Sequence, residues 1–305
     1  MTETVEAPER RQRPWEGVGL HLEKPMTAKQ AIAAGGLDWD VAVEPALRRT
    51  HAGKHVEVDG QFWVVKQDDE AVLGKVTDRY VPFQNREAFE FADNLVDSGD
   101  GKYVQVGPLR KNKVVFLVME VPKDIVIADV DPHDLHIIFT TSHDGSKAIG
   151  AFVAMTKLSC TNQLTFFRRT APHSWSIPHV ADVKGKVAAA RSSLAMSFAY
   201  VDEFVEIGNK MAGTKLSGNK FHHILEETLP HRPKTEEVIQ SIEDLYRNSN
   251  TNGFGGTAWG ALNAVTEYFD HKRDTRSNES IFFGAVAGDP AKIRNAVAQR
   301  LVALT

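Results

Sequence analysis

Basic residues supply the strongest chemical signal in this chain. Between Lys157 and Arg191 stand six of them, Lys157, Arg168, Arg169, Lys184, Lys186 and Arg191, against the single acid Asp182. Cations at that density can neutralise consecutive phosphates, and the aromatics Phe167 and Trp175 offer faces on which bases can stack. Arg110, Lys111 and Lys113 form a smaller basic group at an expected strand tip. The setting sharpens the contrast. The formal net charge of the 305 residues is −4, and residues 1–100 carry 12 Lys and Arg against 19 Asp and Glu. A polyanion would therefore meet one part of the molecule and not the whole.

Other groupings bear on catalysis. Asp129, Asp131, His133, Asp134 and His136 bring carboxylates and imidazoles close together, and two or three of them could hold a divalent metal for hydrolysis if they converged. Their spacing matches no established metal motif, and a solvated loop between strands is the competing reading. His222 and His223 are poor joint ligands, because adjacent helical residues point about 100° apart. Cys160 is a possible nucleophile, yet a lone cysteine ending an apolar strand reads as a small buried side chain. Gly253–Gly256 lacks the Gly-Lys-Ser/Thr of a phosphate loop, so no cofactor is expected. One cysteine allows no intramolecular disulfide, and neither a spanning apolar run nor a signal-peptide core is present, which predicts a cytoplasmic protein with no membrane partner.

The elements that must position these residues follow from periodicity and turn chemistry. Residues 1–14 read as a disordered tail and 15–100 as a mixed first layer. In that layer Thr27 caps a helix over Ala28–Ala34, Asp38–Val43 and Ala71–Val76 read as strands, and Asn85–Val96 suits a helix. Asp59-Gly60 between Lys54–Val58 and Gln61–Lys66 signals a hairpin. Residues 101–212 form a β-meander with a covering helix: strands over Lys102–Val106, Lys113–Val121, Leu135–Thr141 and Ala148–Leu158, an Asp144-Gly145 turn, and a helical stripe from Val183 to Ala212. Residues 213–305 read as helical, with segments at Lys220–Thr228, Thr235–Asn248 and Thr257–Phe269. Strands followed by a long helix predict an α+β fold, an antiparallel meander covered by helix with a helical C-terminal part, all in one unit.

Two stretches resemble a known family as a pair. Lys157-Leu-Ser-Cys160-Thr161-Asn162-Gln-Leu164 is similar to one signature, and Gly256-Thr257-Ala-Trp259-Gly-Ala-Leu262-Asn263-Ala-Val265-Thr-Glu-Tyr268 to the other, of the phage/plasmid-like proteins built on domain of unknown function 932. The resemblance extends over roughly residues 15–303. It implies an origin on phage or plasmid DNA in a bacterial host cell and carries no activity with it. The order of elements is also similar in outline to the phage single-strand annealing proteins, an analogy of fold alone. The expectation is an oligomeric, non-enzymatic protein that binds single-stranded DNA without ATP in recombination or replication. A metal-dependent nuclease or hydrolase using Asp129–His136, and a host-interaction protein, are the alternatives.

Overall fold

Valine, isoleucine and phenylalanine crowd residues 102–157 so densely that strands formed there are buried on both faces. The computed structural model describes residues 13–146, 149–157, 163–164, 174–177, 200–248, 254–275, 277–286 and 288–305. Its centre is a seven-stranded antiparallel sheet of β1 (Leu20–His21), β5 (Lys102–Leu109), β6 (Val114–Ile127), β7 (Asp131–Ser142), β8 (Ile149–Lys157), β9 (Gln163–Leu164) and β10 (Ser174–Ile177). The strand order is β1-β5-β6-β7-β8-β10, with β9 sharing the β8 edge. A second sheet of β2 (Val41–Arg49), β3 (His55–Lys66) and β4 (Val72–Val76) stands apart from it.

Strand alternation sends Leu117, Met119, Leu135, Ile137, Phe139, Val153 and Met155 to one face of the large sheet. There they meet Ala31 and Ile32 of α1 (Ala28–Ala34) and Phe204 and Met211 of α4 (residues 200–213). Phe221 of α5 (Gly218–Thr228), Ile242 of α6 (Thr235–Asn248) and Leu301 of α9 (Asp289–Val302) complete that core. Phe116, Val118, Ile138 and Ala154 point the other way, where Trp15 and Phe282 of α8 (Asn278–Val286) cover them. The fold is α+β with a helical C-terminal part, as the order of elements predicted. No helix among the described residues is long and apolar enough to cross a membrane.

Several local expectations hold and several change. Thr27 accepts from the Gln30 amide while the Gln30 side chain returns to Thr27, a complete capping box on α1. Gly145 turns β7 into β8 at φ +73°. Asp59-Gly60 makes no hairpin: Gly60 does take φ +64°, but inside the continuous β3, where pairing jumps from Leu47↔Glu57 to Pro45↔Phe62. The reversal comes earlier, at Thr50–Lys54. Asn85–Val96 breaks into α2 (Asn85–Ala88), a 3-10 turn at Glu90–Ala92 and α3 (Asp93–Asp97). Of the expected Val183–Ala212 helix, residues 200–212 are helical and the rest lie outside the described residues. Arg13 and Pro14, read as tail, are packed against the sheet, and the stretch Asp131–His136, read as loop, begins β7.

The small sheet is tied to the large one through the β7–β8 end. Tyr80 donates its hydroxyl to the Ser142 carbonyl at 3.2 Å. His143 donates from Nε2 to the Asn85 side-chain oxygen at 2.7 Å, an orientation fixed because the Asn85 amide nitrogen donates to the Leu37 carbonyl.

Candidate functional site

The two signature stretches meet at one buried carboxylate. Asp131 opens β7 and Lys157 closes β8, and the register sets His133 opposite Lys157 on the helix-covered face. From above, α7 (Ala258–Glu267) lowers Trp259 into the same place. The Trp259 indole donates to Asp131 Oδ2 at 2.8 Å, and Lys157 Nζ lies 3.2 Å from Asp131 Oδ1. Lys157 is 1% exposed and Asp131 and Trp259 are 0% exposed. The Phe254 ring sits 5.9 Å from the ammonium.

α7 reaches this position for local reasons. Thr257 caps it by accepting from the Gly260 amide at 3.1 Å. Gly260 is required by close approach, since a methyl there would overlap the Phe254 carbonyl. Every residue of α7 is buried, so its helix is apolar all round and its few polar groups turn inward.

His133 completes the junction as a neutral ring. Its Nδ1 is 2.9 Å from the Asp131 carbonyl, which can only accept, so Nδ1 carries the hydrogen and Nε2 is the bare nitrogen. Burial lowers its pKa to about 4, and the Lys157 ammonium acts in the same direction. The arrangement is a closed ion pair under aromatic cover. It holds charge in place and presents none to solvent.

The remaining members of the acidic and histidine cluster face away from it. Because side chains alternate along β7, Asp134 and His136 project to the opposite face from Asp131 and His133. There Asp134 pairs with Arg13, which also holds Glu16 at 3.0 Å, and His136 packs 4.9 Å from the Trp15 ring. Both His136 nitrogens are buried with no hydrogen-bond partner among the described residues, and burial, then Arg13 and Lys102, lowers its pKa to about 3. Asp129 lies outside the strand, at φ +60°. The five residues, of which two or three could hold a metal if they converged, are thus divided by the sheet, and no group of three or more metal-ligating side chains forms among the described residues.

Lys157 also departs from its expected role. Its sequence neighbours group it with the phosphate-binding cations, but its partner is Asp131 on the adjacent strand. Arg110 and Lys111 are exposed at the β5–β6 turn, and Lys113 is half-buried. Arg110, Lys111 and Asn112 all take positive φ, of 51°, 57° and 68°, and Glu279 of α8 accepts from the Arg110 backbone amide. Arg168, Arg169, Lys184, Lys186 and Arg191 lie outside the described residues, as does the Trp175 side chain. The chain nevertheless leaves β8 after Leu164, opposite Met155, and rejoins it at Ser174, opposite Phe152. Arg168 and Arg169 belong to the nine residues in between.

Sequence reasoning missed the Asp131–Trp259 contact and a second buried ion pair, Arg294 to Asp270 at 2.6 Å, each side chain 2% exposed. Asp270 lies in a π-helical turn, Tyr268–Lys272, that continues α7. The period-two pattern Asp131, His133, Leu135, Ile137, Phe139 was the available sign that the acidic stretch is strand.

Neither curated proteins nor solved structures offer a match to this chain. One family profile does match, over residues 72–284, which is more than half of the chain and holds Asp131, Lys157 and Trp259 alike. The chain accordingly belongs to the family described as Domain of unknown function (DUF932).

Proposed function

We propose that this protein binds single-stranded DNA along one end of its large sheet, as an oligomeric, ATP-independent protein of phage or plasmid recombination or replication. One observation carries the reading. Gly107, Phe116, Thr140, Gly150 and Ser176 form a single row across five strands, and that row stands just below the exposed Arg110–Lys113 turn. Lys184, Lys186 and Arg191 follow Ser176 by 8, 10 and 15 positions. Three strand spacings of about 4.8 Å separate β6 from β10, so the turn and the end of β10 are ~14 Å apart. The Arg110–Lys113 turn and the end of β10, from which the chain continues to the second basic group, share one sheet end, a span that a few nucleotides would cover. Trp175 would supply stacking. Lys157, buried against Asp131, leaves the set of phosphate contacts.

Fluorescence anisotropy with a labelled oligo-dT at low salt tests the proposal. Each phosphate contact to a single strand contributes about −0.7 to the slope of log K against log salt. Contacts from Arg110, Lys111, Lys113, Arg168, Arg169, Lys184, Lys186 and Arg191 would give a slope of about −5.6, and the double variant Arg168→Ala/Arg169→Ala one of about −4. No binding at low salt, or an unchanged slope in the double variant, refutes the reading.

A further inference from the structure

We propose that the cleft between the end of α5, the start of α6, the π-turn and the start of α9 docks an acidic peptide segment of a partner protein through one bulky apolar side chain. The cleft has a volume of about 190 Å³. That is below the roughly 300–1,000 Å³ of small-molecule sites and suits a single large side chain. Its walls are apolar, built by Leu229, Pro230, Val238, Phe269, Pro290 and Ile293.

The rim is cationic. Arg232, Lys234 and Arg273 line it against the single acid Asp289. Asp289 is shared, 3.5 Å from Arg232 and 3.4 Å from Lys292. Lys234 is exposed and has no ion-pair partner among the described residues. Arg273 is half-buried in the lining and likewise has no ion-pair partner among the described residues. A guanidinium at the rim matches a carboxylate delivered with the ligand, as the charge of Lys234 does. Glu237 and Asp274 act on Tyr268 nearby but are not part of the lining.

The same details favour a peptide over a nucleobase. A base brings polar edges that need partners, and the Thr235 hydroxyl is already taken, donating to the Pro230 carbonyl and accepting from the Arg232 amide. An apolar side chain needs no such partner, and neighbouring carboxylates complement the rim. The cleft shares no lining residue with the cations of the proposed DNA surface.

The test is anisotropy of a fluorescein-labelled peptide of five acidic residues ending in phenylalanine, against the full chain. Binding is expected to weaken at least tenfold when alanine replaces the phenylalanine. It should weaken at least tenfold again in the variant Lys234→Glu, whose exposed site leaves folding intact, and at least fivefold in Arg273→Gln. Equal binding of the phenylalanine and alanine peptides would reduce the effect to general charge attraction and overturn the proposal. So would insensitivity to Lys234→Glu, displacement of the peptide by oligo-dT, or a Lys234→Glu-sensitive dimer in sedimentation, the last two assigning the cleft to nucleic acid or to a second copy.

Discussion

Replacing Lys157 by methionine should destabilise the protein by about 3–5 kcal/mol, the cost of removing one partner of a buried ion pair. The magnitude follows from where the charges sit. Methionine keeps most of the length of the lysine stem, so lost packing is small and the main effect is an uncompensated Asp131 carboxylate at 0% exposure. The Trp259 indole would remain as its donor. Removing that donor alone, with Trp259→Phe, deletes a hydrogen bond to a charged acceptor and should cost about 1.5–3 kcal/mol plus a packing loss. The double variant Lys157→Met/Asp131→Asn removes both charges, so its loss should fall short of the sum of the single losses by ~1–3 kcal/mol. Urea unfolding followed by tryptophan fluorescence measures these three and the single Asp131→Asn that completes the cycle, provided the slopes agree between variants. A loss below ~1 kcal/mol for Lys157→Met would match an ammonium in water and refute the buried pair. The same variant, read at a temperature where it is folded, should bind oligo-dT with an unchanged salt slope.

Further outcomes follow from neighbouring features. His133 and His136 have folded pKa values of about 4 and about 3, below the ordinary 6.5, so the unfolded chain takes up protons first as pH falls through 6.5. Stability should therefore decline from about pH 6.5 towards pH 4, by up to ~1.4 kcal/mol per pH unit for each histidine. His136→Phe, which removes two buried nitrogens, should flatten that decline by about one proton in pH-dependent urea titrations, and an unaltered slope would contradict it. Gly260→Ala should cost ~2–3 kcal/mol by forcing α7 away from the Phe254 carbonyl, measurable as a lowered melting temperature. Trp15→Ala should cost ~3–5 kcal/mol and expose the outer sheet face to the dye ANS.

Much of the fold could be read from local chemistry. The Thr27 cap, the Gly145 turn and the strand runs from Lys102 to Lys157 depend on residues close in sequence, and these emerged where expected. Asp59-Gly60 shows the limit of that reading. The dipeptide does report a positive φ, but whether the position becomes a hairpin or a bulge depends on which strand pairs with it, and the Thr50–Gly53 turn decides that. Asp131–His136 failed for a related reason. Polar residues in a strand look like a loop until their partners are known, and those partners are Lys157, Trp259 and Arg13, each brought in by a separate part of the chain. Lys157 itself looked like part of a basic surface because charge density along a sequence says nothing about which way a strand turns each side chain.

The cover of the outer sheet face joins the first described residues to some of the last. Trp15 and Phe282 share one small core, Asn278 donates to the Gly17 carbonyl across 261 positions, and Glu279 holds the Arg110 amide across 169. During synthesis Trp15 emerges early and must wait for α8 before its own packing is complete. Phe116, Val118 and Ile138 meanwhile lack their full cover, and contacts of such long range form slowly. A nascent chain arrested before Asn278 would leave that apolar face partly open, which makes it the surface on which a chaperone, or another unfinished copy, would first take hold.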